Sequence, residues 1–143
     1  MTAKTYLEQL QRLDIMINQK IREREDLKSK AGSIGAVDYS KLKADAASGE
    51  APFEKITDHI CDLEREINAE IDCFVDKKHE IIKQIQSLDV PNHIDFLFKR
   101  YVEFKKYEQI ALEMGRAREY MPELNSKALK SFEKFHKNLL KLV

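Results

Sequence analysis

The side chains best able to hold a metal or pass a proton near neutral pH are His59, His79, His93 and His136. No two of them stand at the i, i+4 spacing that places a metal pair on one helix face. Cys61 and Cys73 have no Cys-x-x-Cys partner. On one predicted helix their separation turns them about 120° apart over roughly 18 Å of rise, so they cannot bond to each other. Reduced thiols in a cytosolic compartment are expected. A glycine-rich phosphate loop, a nucleophile elbow and a convergent carboxylate pair are all missing. The sequence therefore argues against an enzyme, a metal site or an organic cofactor.

What remains is charge and shape. The chain is neutral, with 25 basic and 25 acidic residues, of which 11 and 7 fall in 92–143, leaving 14 and 18 for 1–91. The C-terminal excess of +4 points toward a polyanionic partner. No apolar run approaches the ~20 residues of a membrane span. The N-terminus leads into a charged helix without the apolar stretch of a signal peptide, so a cytoplasmic location is expected.

The elements that must carry this charge are helical: 35% of residues are charged, and there are only four Gly and three Pro. Tyr6, Leu7, Leu10, Leu13, Ile17, Ile21 and Leu27 recur at helical spacing over 4–30, until Ala31-Gly32-Ser33 interrupts them. Residues 31–52 lose all periodicity and are expected to be a mobile connection, with a short helical turn near 40–46 and disorder near 48–51. A second long helix is predicted from about Pro52 to Leu88, with Ile60, Ile67, Phe74, Ile81 and Leu88 every seven residues. Ile56, Leu63, Ile71 and Ile85 widen that stripe. Glu70, Lys77 and Gln84 interrupt the alternate seam, which leaves room for a third helix or a second copy in a homodimer.

Asp89-Val90-Pro91-Asn92 reads as the boundary between two domains, with Asn92 capping the next helix and Asp95 near its N-terminus. That helix carries Ile94, Phe96, Leu97, Phe98, Tyr101, Val102 and Phe104. A short helix over Tyr107–Met114 should point Ile110, Ala111 and Met114 inward and end at Gly115 in the left-handed conformation. A last helix follows, with Leu124, Ala128, Phe132, Phe135 and Leu139 inward. The expected fold is all-α: a long antiparallel, coiled-coil-like helical hairpin over 1–90 and a three-helix, helix-turn-helix-like module over 91–143. Of the module's dense aromatic set, Phe98, Phe104 and Tyr120 are the members expected to remain outside the core as a protein-docking patch.

Leu97, Arg100, Tyr101, Val102, Glu103, Glu108, Ile110, Ala111, Glu113, Met114, Ala128, Leu129 and Phe132 follow the order and spacing of a known pattern. The module resembles the helix-turn-helix of sigma factor region 4. It is more similar to the phage-encoded ArpU/RinA-type late transcriptional regulators. The opening helix and the later Ile-x-Asp-Leu-Glu-x-Glu-Ile-Asn helix resemble that family too. The resemblance implies DNA binding near a promoter, with a recognition helix whose first turns enter the major groove. The candidates it implies are Lys105 and Lys106 on phosphate at the start of the second helix, Arg116 and Arg118 at the groove, and Asn125, Ser126, Lys127 and Lys130 along the last helix.

This sequence departs from the pattern in places. Ala117 replaces the usual Ser or Thr cap. Glu119 and Glu123 place carboxylates where phosphate would lie. Pro122 falls where the recognition helix should be under way, and an interior proline costs about 3 kcal/mol. The cheaper solution starts the last helix at Pro122, leaving Arg116–Met121 as an extended turn without the groove-reading end. Phe104 also replaces the glycine that usually follows the first helix. Two functions follow: a phage-type DNA-binding transcriptional regulator, or a protein-binding effector that uses the altered module on a host or mobile-element protein such as RNA polymerase, a repressor or a defence nuclease.

Overall fold

The computed structural model describes residues 1–37 and 52–141, and among these every regular element is helical. The helices are α1 (Ala3–Leu7), α2 (Gln9–Val37), α3 (Pro52–Gln86), α4 (Pro91–Leu97), α5 (Tyr107–Met114), α6 (Met121–Phe135) and α7 (Lys137–Lys141). A wider π turn, Phe98–Val102, extends α4, and a tight 3-10 turn, Arg118–Tyr120, precedes α6. No described helix is long and apolar enough to cross a membrane.

Two local expectations are corrected. Ala31-Gly32-Ser33 does not end the first long helix, since α2 runs on to Val37; a glycine inside a helix costs only about 1 kcal/mol. Most of the connection expected over 31–52, including the turn near 40–46 and the disorder near 48–51, lies outside the described residues. Asn92 is not the cap of α4. Val90 holds that position, and Pro91 takes the first helical turn, where its missing N–H costs nothing.

The chain forms two compact units, one of Met1–Asp14 with Phe74–Val143 and one of Ile15–Cys73. This is not the division expected at residue 90. The turn at Asp89–Val90 separates two helices, but one core runs through both sides of it. Ala3, Tyr6, Leu7 and Leu10 from the start of the chain, and Ile81, Ile85 and Leu88 from the end of α3, belong to the same buried cluster as Phe96, Leu97, Ile110, Leu124, Ala128 and Phe132. The module thus recruits both ends of the hairpin into its own core.

Polar groups on α3 within this larger unit are answered by Tyr6. Its hydroxyl donates to Gln84 Oε1 at 2.7 Å, and Lys77 Nζ lies 5.8 Å from its ring centre. Burial raises the Tyr6 pKa from its ordinary value. His136, where the last helix breaks, places Nε2 2.9 Å from the Gln84 carbonyl oxygen and stacks 4.6 Å from Phe132.

In the smaller unit, α2 and α3 run antiparallel. Ile17, Leu63 and Ile67 are buried, Ile21, Leu27, Ile56 and Ile60 are half-buried, and Ile71 is exposed despite its place in the predicted stripe. Glu70, one of the seam interruptions, accepts from Lys20 at 2.7 Å, and Lys28–Glu64 and His59–Glu23 also cross between the helices. The polar seam positions therefore have cross-helix partners within each unit.

Candidate nucleic-acid interface

α4, α5 and α6 pack around Phe96, Leu97, Tyr101, Val102, Ile110, Ala111, Met121, Leu124, Ala128 and Phe132. α5 spans the residues expected of it, and Gly115 closes it at φ 66°, ψ 36°. In that conformation Gly115 N–H reaches Leu112 O and Arg116 N–H reaches Ala111 O, which satisfies the last carbonyls of the helix. Phe104 also adopts a left-handed backbone, at φ 58°. Glycine would adopt this conformation freely, whereas a phenylalanine bears a strain of about 1–2 kcal/mol. Packing of its half-buried ring against the core offsets that cost.

The last helix starts at Met121, one residue from the start expected at Pro122, but the residues before it are not an extended turn. Ala117 takes the N-cap conformation without a side-chain acceptor, and Arg118–Tyr120 then wind as a 3-10 turn directly into α6. Tyr120 N–H donates to Ala117 O at 3.1 Å, and Met121 N–H reaches Arg118 O. A 3-10 turn bonds i to i+3, so the carbonyl that an α-helix would aim at Pro122 is already occupied. Pro122 is tolerated at the second residue of α6. The residues ahead of α6 thus form a tight turn and no α-helical turn precedes Met121.

The expected DNA-contacting residues do not share one environment. Asn125 is half-buried, and its Oδ1 accepts from Tyr101 Oη at 2.7 Å. That bond ties α6 to the π turn, and burial pushes the Tyr101 pKa up to about 12. Lys105 is held by Glu113 at 2.8 Å and by Glu103 at 3.4 Å, contacts that raise its pKa. Lys127 pairs with Glu123 at 3.1 Å, and Arg118 with Glu108 at 3.1 Å. Glu123 therefore engages a neighbouring lysine on its own helix. Lys106, Arg116, Ser126 and Lys130 are exposed, and none of the three cations forms an ion pair among the described residues. Arg116 instead lies 6.0 Å from the Tyr120 ring.

The aromatic residues expected as a docking patch are placed otherwise. Phe98, Phe104 and Tyr120 are all partly buried and packed against the core. The large apolar side chains left most exposed on the module are Leu112, at 82%, and Phe135, at 45%, the latter expected inside. Phe135 yields its inward place because the helix breaks at His136, which brings Leu140 under cover instead. Reading the sequence also missed Tyr107 as a platform: the Arg100 guanidinium carbon lies 4.4 Å from its ring centre and that of Arg118 5.8 Å. The only signal was the spacing of an aromatic and two arginines across two turns.

Among the described residues, no group of three or more His, Cys, Asp or Glu is placed to hold a metal ion. Cys61 and Cys73 are free and exposed. The chain matches none of the protein-family models, and comparisons with curated proteins and with solved structures gave no match.

Proposed function

We propose that this chain is a DNA-binding transcription regulator of the phage late-regulator kind, acting in the bacterial cytoplasm through the helix-turn-helix of its larger unit. The observation that carries this reading is the close, continuous turn into the last helix. Gly115 turns the chain, and the Arg118–Tyr120 turn feeds α6 without a gap. Exposed Lys106, Arg116, Arg118, Ser126, Lys127 and Lys130 then lie on the second helix, the turn and the last helix. These are the places from which such a motif touches phosphate and base edges. The alternative of a protein-binding effector no longer draws on Phe98, Phe104 and Tyr120, which pack against the core, and would have to use exposed Leu112 and Phe135. Dimerisation through the smaller unit goes with the regulator reading, with exposed Ile15, Met16 and Ile71 there as apolar contacts.

The ion pairs refine what binding should look like. Lys105 and Lys127 already have carboxylate partners, so phosphate neutralisation falls chiefly to Lys106, Arg116 and Lys130. Three net contacts give a slope of log affinity against log salt of about −3 per bound module. Fluorescence anisotropy of the full chain on random-sequence duplex DNA, from low to physiological salt, tests this. Replacing Lys106, Arg116 and Lys130 together with Ala should weaken binding at least tenfold and flatten the slope. A chain that binds no duplex at low salt would sink the reading.

A further inference from the structure

The three arginines of the module are used differently. Arg100 is half-buried and spends Nη1 on the Lys105 carbonyl at 3.0 Å. Arg116 stands at the turn with a ring nearby and no carboxylate to orient it among the described residues. Arg118 opens the recognition segment, and its Nε donates to Glu108 Oε1 at 3.1 Å. The Tyr107 ring lies 5.8 Å from its guanidinium carbon. Glu108 is the second residue of α5, so the carboxylate that orients Arg118 stands on the helix before the turn. Its own backbone N–H and the bond from Arg118 keep its pKa below the usual value.

An arginine fixed in this way has a defined remainder. With Nε committed to Glu108, the two Nη groups are left as a planar pair of donors at the far end of the guanidinium. Two parallel donors fit the O6 and N7 acceptors on the major-groove edge of guanine, which no other base presents. A lysine in the same place could offer only a point charge. An exposed ion pair adds little to folding stability. Its effect here is to restrict the rotamers of a side chain that must otherwise be ordered on binding.

We propose that Arg118 reads guanine in the major groove as a bidentate donor and that Glu108 is its positioning residue. The proposal rests on the DNA-binding reading above and goes past it by naming the base and the contact. Arg118 and Glu108 are both on the surface, with side-chain exposures of 52% and 65%, so substitution leaves the core untouched.

The experiment selects sites for the full chain from a randomised duplex library, then measures affinity for the selected site, for the same site with guanine changed to adenine, and for random duplex. The parent chain should select a fixed guanine and lose roughly 5- to 150-fold on the base change. Arg118→Lys should keep its affinity for random duplex within about threefold and lose the preference for guanine over adenine to less than twofold. Glu108→Gln should retain the preference but bind the selected site several-fold more weakly, with random-duplex affinity unchanged or higher. A selected site without a fixed guanine, or Arg118→Lys with the parent's discrimination, overturns the assignment of Arg118 while DNA binding stands. Glu108→Gln with parental affinity for the selected site overturns its positioning role. A parent chain that binds no duplex at all takes the DNA reading down with the proposal.

Discussion

The two units of this chain use the same long helices in different ways. Between Ile15 and Cys73, α2 and α3 bury Ile17, Leu63 and Ile67, while Lys20, Glu66, Glu70, Lys28 and Glu64 form ion pairs across the seam. In the other unit the ends of those helices join a cluster in which Tyr6, Leu7, Leu10, Ile81, Ile85, Phe96 and Phe132 are nearly or wholly buried. Each fully buried side chain of this size contributes about 1.5–3 kcal/mol, whereas an exposed ion pair contributes about 0–1 kcal/mol. A continuous helix can therefore be firmly held at one end and loosely held along its middle. The heptad pattern is the same throughout, so stability follows what covers the stripe and not the stripe itself.

The largest expected effect compares like with like. Leu7→Ala removes a leucine that is 0% exposed in the core of the larger unit, and Leu63→Ala one that is 5% exposed in the smaller. A buried leucine truncated to alanine costs about 2–5 kcal/mol, rising with the cavity that remains. Leu7, enclosed by several helices, should fall near the upper end, and Leu63, between two, near the lower. Urea denaturation followed by circular dichroism gives both values. Equal costs would break the comparison. A negligible loss from Leu7→Ala would also remove the first residues of the chain from the module's core.

Where the sequence was legible, a local rule was in charge. Gly115 announced the end of α5 because a left-handed C-terminal residue favours glycine. Pro52 marked a helix start because a missing N–H is harmless there, whereas the same rule at Pro91 was passed over in favour of an Asn92 cap. The domain division was not legible at 90, since nothing in Asp89-Val90-Pro91 shows that residues 1–14 return to pack beyond it. The partners of the interface were equally hidden. Arg118 meets Glu108 and Asn125 meets Tyr101 across intervals of ten and twenty-four residues, which no helical period connects. Pro122 marked the start of the last helix to within one residue, and only the 3-10 winding of Arg118–Tyr120 before it was hidden.

Phe104 tests whether the larger unit's packing can hold a strained backbone, something the smaller unit's sparse core offers no means to do. At φ 58° a β-branched residue is worse off than phenylalanine and glycine is better off. Phe104→Val should cost about 2 kcal/mol, combining left-handed strain with lost ring contacts. Phe104→Gly loses the same contacts but relieves the strain, so it should stay within about 1 kcal/mol of the parent. Thermal melts of the two variants decide the matter. If Gly is as damaging as Val, the ring contacts dominate and the backbone strain counts for little.

The smallest effect separates the polar links of the two units by what dissolves them. In the larger unit Tyr101 Oη donates to Asn125 as a neutral phenol, and in the smaller unit Lys20 and Glu70 attract as ions. Removing the phenol by Tyr101→Phe should cost about 1 kcal/mol, the usual net worth of such a bond. Burial pushes the folded-state pKa of Tyr101 up to about 12, against 10 for an ordinary tyrosine. The folded state thus keeps a proton that the unfolded chain releases. This contribution is fully present below pH 10 and is lost as pH rises from 10 to about 12. Tyr101→Phe should flatten that part of the stability curve, while added salt should weaken Lys20–Glu70 and leave the phenol's bond unchanged. Hydrogen exchange read unit by unit separates the two responses. If salt loosened the Tyr101 region as much as the Lys20 region, or if alkali loosened both equally, the two units would be answering to a common link and the contrast between them would fail.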